Sequence, residues 1–110
     1  MKIENISQMK EGWFIGDFEP SILKTKDFEV AVKKYEKGEY HAPHHHKIAT
    51  EINYLIKGLV KANGKIIQPG QIFIYEPYEI AECEFLEETE ILVVKTPCVA
   101  GDKYKNNKND

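Results

Sequence analysis

Short apolar or alternating runs, separated by turn residues, make up most of this 110-residue sequence. Strict alternation of polar and apolar residues is typical of β-strands with one face in a core, and continuous apolar runs are typical of strands covered on both faces. Residues 71–77 and 90–96 are of the second kind. The main runs are "FEVAVKKY" (28–35), "EINYLIKG" (51–58), "QIFIYEP" (71–77), "IAECEFL" (80–86) and "EILVVKT" (90–96).

Turn residues end these runs at short intervals, and Asn63-Gly64 is the strongest signal for a tight hairpin. No segment has a long helical period, so we expect only short helices, near residues 2–10 and 21–27. Many short, regularly punctuated strands predict an all-β sandwich or barrel. We expect one domain over residues 1–100, with its core in 28–96. The polar, Lys- and Asn-rich residues 101–110 are expected to form a disordered tail.

Composition narrows the possible partners and locations. The net charge of −3 argues against nucleic acid as the main partner. No stretch is long and apolar enough to span a membrane, and the N-terminus lacks the apolar region of a secretory signal, so we expect a cytoplasmic protein. Cys83 and Cys98 are isolated from each other in the sequence and are expected to be reduced.

The most distinctive segment is "EYHAPHHHKIATE" (39–51), which has four histidines within six positions. It is internal and interrupted, unlike an affinity tag. In an extended strand, successive side chains point to opposite faces, so His44 and His46 share a face that His45 does not. The same alternation places Tyr40 on the side of His44, and His41 on the side of His45. Two imidazoles and the carboxylate of Glu51 could together bind a divalent cation.

The spacing around these residues resembles the first sequence motif of the cupin family, G-x5-H-x-H-x3,4-E-x6-G. Its fixed positions correspond to Gly38, His44, His46, Glu51 and Gly58. The later segment "PGQIFIYEP" resembles the family's second motif, and the resemblance covers residues 28–96. It implies a small antiparallel jelly-roll β-barrel of the RmlC-like kind. It also implies that His44, His46 and Glu51 bind a divalent metal inside the barrel, with zinc, iron, manganese and nickel all acceptable.

The sequence departs from the family at the fourth metal ligand, which is usually a histidine that ends the second motif. No histidine follows His46 in this chain. Alignment on Pro69-Gly70 places Ala81 at the ligand position, and a shift of one residue would place Glu82 there. Ala81 shares the apolar face of residues 80–86, so we expect the position to be vacated, with Glu82 as the alternative if a β-bulge reverses the facing. A site with three protein ligands leaves coordination positions for water or substrate.

Strand alternation and side-chain chemistry predict catalytic or ligand-binding roles for five residues. Glu51 and Tyr40 are the candidate catalytic residues, because either could move a proton. Asn53 has the same parity as Glu51, and Tyr75 or Tyr78 could reach the mouth of the barrel. These three are therefore the candidate ligand-binding residues.

The resemblance implies several possible activities, because cupins share a fold across many functions. Our leading hypothesis is a metal-dependent enzyme, an isomerase, epimerase or dioxygenase, acting on a small polar molecule such as a sugar phosphate or nucleotide sugar in carbohydrate metabolism. A non-catalytic ligand-binding or sensor module is one alternative. Another is a metal-free sugar-nucleotide isomerase or epimerase that uses His44 or His46 with Glu51 and Tyr40. The doubly apolar strands also predict a subunit interface, and hence a homodimer.

Overall fold

Two five-stranded sheets, with antiparallel pairing between their strands, make up the fold of this protein. The computed structural model describes residues 1–106. The first sheet has the strand order β1-β2-β9-β4-β7 and the second has the order β10-β3-β8-β5-β6. This confirms the predicted all-β, antiparallel class. The strands are β1 (Trp13–Ile15), β2 (Glu29–Tyr35), β3 (Tyr40–His45), β4 (Thr50–Lys57), β5 (Val60–Ala62), β6 (Lys65–Ile67), β7 (Ile72–Tyr75), β8 (Ala81–Phe85), β9 (Thr89–Thr96) and β10 (Tyr104–Lys105).

Strand alternation sends one set of apolar side chains between the two sheets. Leu55 of β4 and Val60 of β5 are fully buried, and Phe85, Ile91 and Val93 join them in one cluster. On β9 the residues between these, such as Leu92, are only half-buried and face the other side of the sheet. The core therefore occupies one part of the space between the sheets and leaves room for a cavity beside it.

Most of the predicted strands are present, and the predicted hairpin joins β5 to β6. Asn63 and Gly64 both have positive φ, at 49° and 80°, which is the requirement of a type I′ turn. The helix expected near residues 2–10 is a single 3-10 turn over Ile6–Gln8. The helix expected over 21–27 is absent, because this segment is extended and Leu23 bridges to Ile15 of β1.

The prediction of a disordered tail from residue 101 is wrong for residues 101–106. Asp102 is only 7% exposed, and Tyr104–Lys105 forms a strand that pairs with His44 and His45 of β3. The polar composition was misleading because these residues do not build an apolar core. They form hydrogen bonds with backbone groups of the barrel instead. The rest of the predicted tail, residues 107–110, lies outside the described residues. None of the helical structure in residues 1–106 is long and apolar enough to cross a membrane.

Candidate metal and substrate site

A cavity of about 850 Å³ opens between the two sheets, next to the apolar core. Strands β2, β3, β4, β7, β8 and β9 all contribute to its wall, and Trp13 of β1 lines it together with the N-terminal residues that precede β1. The polar and reactive side chains that line it are those of Ser7, Glu11, Lys33, Lys34, Tyr35, Glu39, His41, His44, His46, Glu51, Asn53, Tyr75, Cys83, Lys95 and Lys103. The structure therefore brings the three predicted metal ligands to one cavity.

His46 and Glu51 form the tightest contact of the predicted ligand set. The Nε2 atom of His46 lies 3.6 Å from Oε1 of Glu51, and His46 is 5% exposed. Burial lowers the pKa of His46 below its ordinary value, and the Lys95 ammonium lowers it further while Glu51 opposes the shift. The imidazole is therefore neutral near pH 7, which is the form that binds metals. Its Nδ1 atom is buried and has no hydrogen-bond partner among the described residues.

His44 is oriented by its own strand. Its Nδ1 atom lies 3.0 Å from the carbonyl oxygen of Ala42, and its ring centre lies 5.8 Å from that of His46. In the tautomer that this contact favours, Nδ1–H donates to the carbonyl and Nε2 keeps its lone pair. Metal-binding histidines are commonly oriented in this way, with one ring nitrogen held by a backbone carbonyl and the other available to the ion.

Glu51 belongs to a row of polar side chains that crosses four neighbouring strands of the first sheet. In register, Glu29 of β2 faces Lys95 of β9, Lys95 faces Glu51 of β4, and Glu51 faces Tyr75 of β7. The Lys95 ammonium lies 3.9 Å from a carboxylate oxygen of both Glu29 and Glu51. Sequence analysis missed Lys95, although it has the same parity as the inward-facing Ile91 and Val93.

Asn53 supports Glu51 from the next inward position of β4. Its side-chain amide donates to Oε2 of Glu51 at 3.1 Å and lies 3.4 Å from the carbonyl oxygen of Phe73. Asn53 is 5% exposed and lines the cavity. It therefore orients the carboxylate, and it stands where the sequence parity placed it.

A β-bulge in β3 overturns two facing predictions. His41 pairs with Cys83 and His44 pairs with Ala81, so β3 advances three residues while β8 advances two. The extra residue, in the segment that contains Pro43, moves His41 to the cavity side and Tyr40 to the outside. Tyr40 is 55% exposed. The prediction of Tyr40 as a catalytic residue is therefore wrong, and His41 is a cavity residue that strict alternation missed.

The fourth ligand position is occupied by Ala81, which is 3% exposed, lines the cavity and lies opposite His44 in the β3–β8 register. Glu82 points the other way. Its carboxylate accepts the Tyr40 hydroxyl hydrogen bond on the outer surface. Glu82 is therefore not a ligand in this arrangement, and the site is left with three candidate protein ligands.

The two candidate tyrosines have different positions. Tyr75 is 8% exposed and lines the cavity, where its hydroxyl group donates to Oδ1 of Asn63 at 3.2 Å. Burial raises its pKa far above the ordinary value, so it acts as a hydrogen-bond donor and not as a base. Tyr78 is 67% exposed and stacks on His45 outside the cavity. The prediction of Tyr78 as a ligand-binding residue is therefore wrong, because its side chain is exposed and does not line the cavity.

Asp102 holds the loop that joins His46 to β4. One carboxylate oxygen accepts the N–H of Lys47 at 2.9 Å, and the other accepts those of Ile48 at 3.2 Å and Ala49 at 2.9 Å. This short loop fixes the spacing between His46 and Glu51. Sequence analysis missed Asp102 because it lies in a segment with no apolar pattern.

The donor set suits a divalent cation, but the side chains are not gathered around a common point. Two neutral imidazoles and a carboxylate are suitable ligands, and the free Nε2 of His44 supports this use. Yet no group of three or more histidine, cysteine, aspartate or glutamate side chains within residues 1–106 is arranged to hold an ion. The positively charged ammonium group of Lys95 also lies beside Glu51, where it would repel a bound cation. The assignment of His44, His46 and Glu51 as ligands therefore stays a prediction.

Comparisons with known proteins identify the fold. No family model and no curated protein matches the chain. An uncharacterised conserved protein with a double-stranded β-helix domain from Klebsiella pneumoniae is similar over 97% of this chain and 93% of its own, with 21% identity and a TM-score of 0.71. An RmlC-like cupin from Shewanella frigidimarina covers 69% of this chain and 71% of its own, with 16% identity and a TM-score of 0.62.

A third solved structure, the DMSP lyase DddQ from Ruegeria pomeroyi, covers 86% of this chain with 16% identity and a TM-score of 0.71. This chain matches 49% of that protein's length. At these identities the likeness concerns the fold. The protein therefore has the double-stranded β-helix fold of the cupins, as its histidine motif predicted.

Proposed function

We propose that this protein is a metal-binding cupin whose open site acts on a small polar molecule, with sugar phosphates and nucleotide sugars as the leading substrate class. The observation that carries the proposal is that His44, His46 and Glu51 line the same cavity, with the small side chain of Ala81 at the fourth position. Three protein ligands leave coordination positions open, an arrangement that is typical of catalytic metal sites. The DMSP lyase neighbour shows that this fold can carry an enzyme active site.

The chemistry follows from the residues around the cavity. His44, His46 and Glu51 would hold the metal, which supplies Lewis acidity for a substrate carbonyl or hydroxyl group. Glu51 is the residue best placed to take a proton, since its carboxylate lies beside His46 and Lys95. Asn53 keeps that carboxylate oriented. The Tyr75 hydroxyl group, whose hydrogen is donated to Asn63, can accept a hydrogen bond from a substrate hydroxyl group.

Elemental analysis of protein purified without chelator or nickel resin tests the metal assignment. We expect close to one divalent ion per chain, and little in His44→Ala and His46→Ala. His45→Ala is the matched control, because His45 lies outside the cavity and contacts Asn106 and Tyr104. A wild-type protein that holds no metal, and that binds none when zinc, iron, manganese or nickel is added, would overturn the proposal.

Turnover on a panel of sugar phosphates and nucleotide sugars tests the substrate class. Metal-loaded protein that neither turns over nor is stabilised by any member of the panel would contradict this class. A ligand that binds tightly and leaves unchanged would instead favour the non-catalytic binding or sensor module.

A metal-free acid–base enzyme is a second candidate, favoured by the contacts of Glu51 with His46 and Lys95. In this arrangement the lysine supplies the positive charge that a metal would otherwise contribute. Tyr40 cannot assist, because it lies on the outer surface. Activity that persists after chelation and dialysis would support this second function, and activity that is lost and restored by one metal would support the first.

A further inference from the structure

Four lysine side chains line the cavity, namely those of Lys33, Lys34, Lys95 and Lys103, and Lys34 is exposed. Lys33 of β2 and Lys95 of β9 both lie over the Trp13 ring, with their ammonium groups 5.8 Å and 5.2 Å from its centre. Lys103, from the segment that follows β9, lines the same cavity. The carboxylates of Glu11, Glu39 and Glu51 line the same cavity as these ammonium groups.

These lysines differ in the partners of their ammonium groups. Lys95 lies near Glu29 and Glu51, but the ammonium of Lys33 donates to the backbone oxygen of Glu11 at 2.8 Å. Among residues 1–106, neither Lys33 nor Lys103 forms an ion pair with an acidic side chain. Lys33 is half-buried and Lys103 is exposed. Like charges that line one cavity repel each other, so an anion placed beside both would be stabilised.

The electrostatic surroundings of Lys33 agree with this view. Burial has the largest effect on the pKa of Lys33 and lowers it below the ordinary value. Glu11 opposes the shift, and Lys95 and Lys103 lower it further. The pKa of His41 is likewise lowered, first by burial and then by Lys103. The two lysines and His41 are thus close enough to influence one another at the Trp13 end of the cavity.

We propose that Lys33 and Lys103 form an anion subsite at the Trp13 end of the cavity, which binds the phosphate or carboxylate group of the substrate. His41, neutral near pH 7, is available as a hydrogen-bonding side chain beside it. The proposal deepens the function given above, since it rests on this cavity being the substrate site. It does not depend on a bound metal, so the two can fail separately.

Three sugars with the same carbon skeleton test the subsite: glucose 6-phosphate, glucuronate and glucose. Calorimetric titration should give at least tenfold tighter binding for one of the anions than for neutral glucose. The preferred anion distinguishes a phosphate from a carboxylate subsite. Lys33→Met and Lys103→Met should each weaken that anion about five- to tenfold and leave glucose unchanged. Lys61→Met is the matched control, since Lys61 is exposed on β5 and outside the cavity.

Several results would overturn the subsite. These are equal binding of glucose, no binding of either anion at millimolar concentration, an unchanged affinity in both variants, or an equal loss in Lys61→Met. If Lys33→Met is destabilised through its contact with Glu11, the exposed Lys103 still supplies the test. Repeating the titration on chelated protein separates the two proposals. Anion binding that survives metal removal supports the subsite whatever becomes of the metal assignment.

Discussion

Asp102 accepts hydrogen bonds from three consecutive backbone N–H groups, and Asp102→Ala therefore removes the support of the loop between His46 and Glu51. The N–H of Ala49 is the most costly to leave unpaired, because Ala49 is 2% exposed. An unsatisfied buried donor costs about 1–3 kcal/mol. Lys47 and Ile48 are exposed, so water can replace much of what they lose, at about 0.5 kcal/mol each.

The summed loss in the free energy of unfolding is about 2–4 kcal/mol, which corresponds to a fall in Tm on the order of 10–20 °C for a domain of this size. Thermal unfolding followed by circular dichroism measures it. Asp27→Ala is the control, because it removes the same charge from an exposed residue whose carboxylate makes no hydrogen bond within residues 1–106. A fall in Tm no greater than in Asp27→Ala would refute the reasoning.

The pH dependence of the same loop provides an independent check. Burial alone would raise the pKa of Asp102, but the three backbone hydrogen bonds lower it below its ordinary value. A carboxyl group whose folded pKa is depressed stabilises the fold above its unfolded pKa and loses this contribution as the pH falls through the folded pKa. The Tm difference between the wild type and Asp102→Asn should therefore be constant between about pH 5 and 7 and should narrow below about pH 4. A difference that widens in acid would contradict the assignment.

Three further predictions concern the cavity. Ala81→His places a fourth imidazole opposite His44, and should tighten Zn²⁺ binding in calorimetry at least tenfold, about 1.4 kcal/mol. Lys95→Met removes a competing cation from Glu51 and should raise the Zn²⁺ affinity about five- to tenfold; an unchanged affinity would show that the ammonium does not compete. Burial raises the pKa of Cys83 to about 11, so iodoacetamide at pH 8 should label Cys83 in urea but hardly at all in the folded protein, as measured by mass spectrometry.

The strands were predictable because polar and apolar side chains alternate along them with a period of two residues. Alternation in residues 80–86 predicts that Ala81, Cys83 and Phe85 face inward, and in the structure all three line the cavity. The Asn63-Gly64 hairpin was likewise predictable, since a type I′ turn requires two residues that tolerate positive φ. What local periodicity could not show is the pairing of distant strands, which sets the sheet order.

The candidate site was predictable only where its residues keep strict alternation. Asn53 was placed correctly from its parity with Glu51. Tyr40 and His41 were exchanged, because one extra residue in β3 inverts every side chain before it and leaves those after it unchanged. Pro43 within the histidine segment was the available signal, since a proline inside a strand is typical of an edge or a bulge. Asp102 had no such signal, because its role depends on a contact with residues more than fifty positions away.

The charged residues that face inward show how one barrel holds both a core and a reactive site. Along β9 the inward positions change from Ile91 and Val93 to Lys95, and along the antiparallel β4 they change from Leu55 through Asn53 to Glu51. Because the strands are in register, Lys95 lies opposite Glu51, so the two charges meet each other, while Asn53 lies opposite Val93 at the border of the core. A charge at only one of these positions would be buried without a partner and would destabilise the fold. A matched row of inward charges on neighbouring strands therefore locates a cavity, and it can be looked for in sequence once the strand register is known.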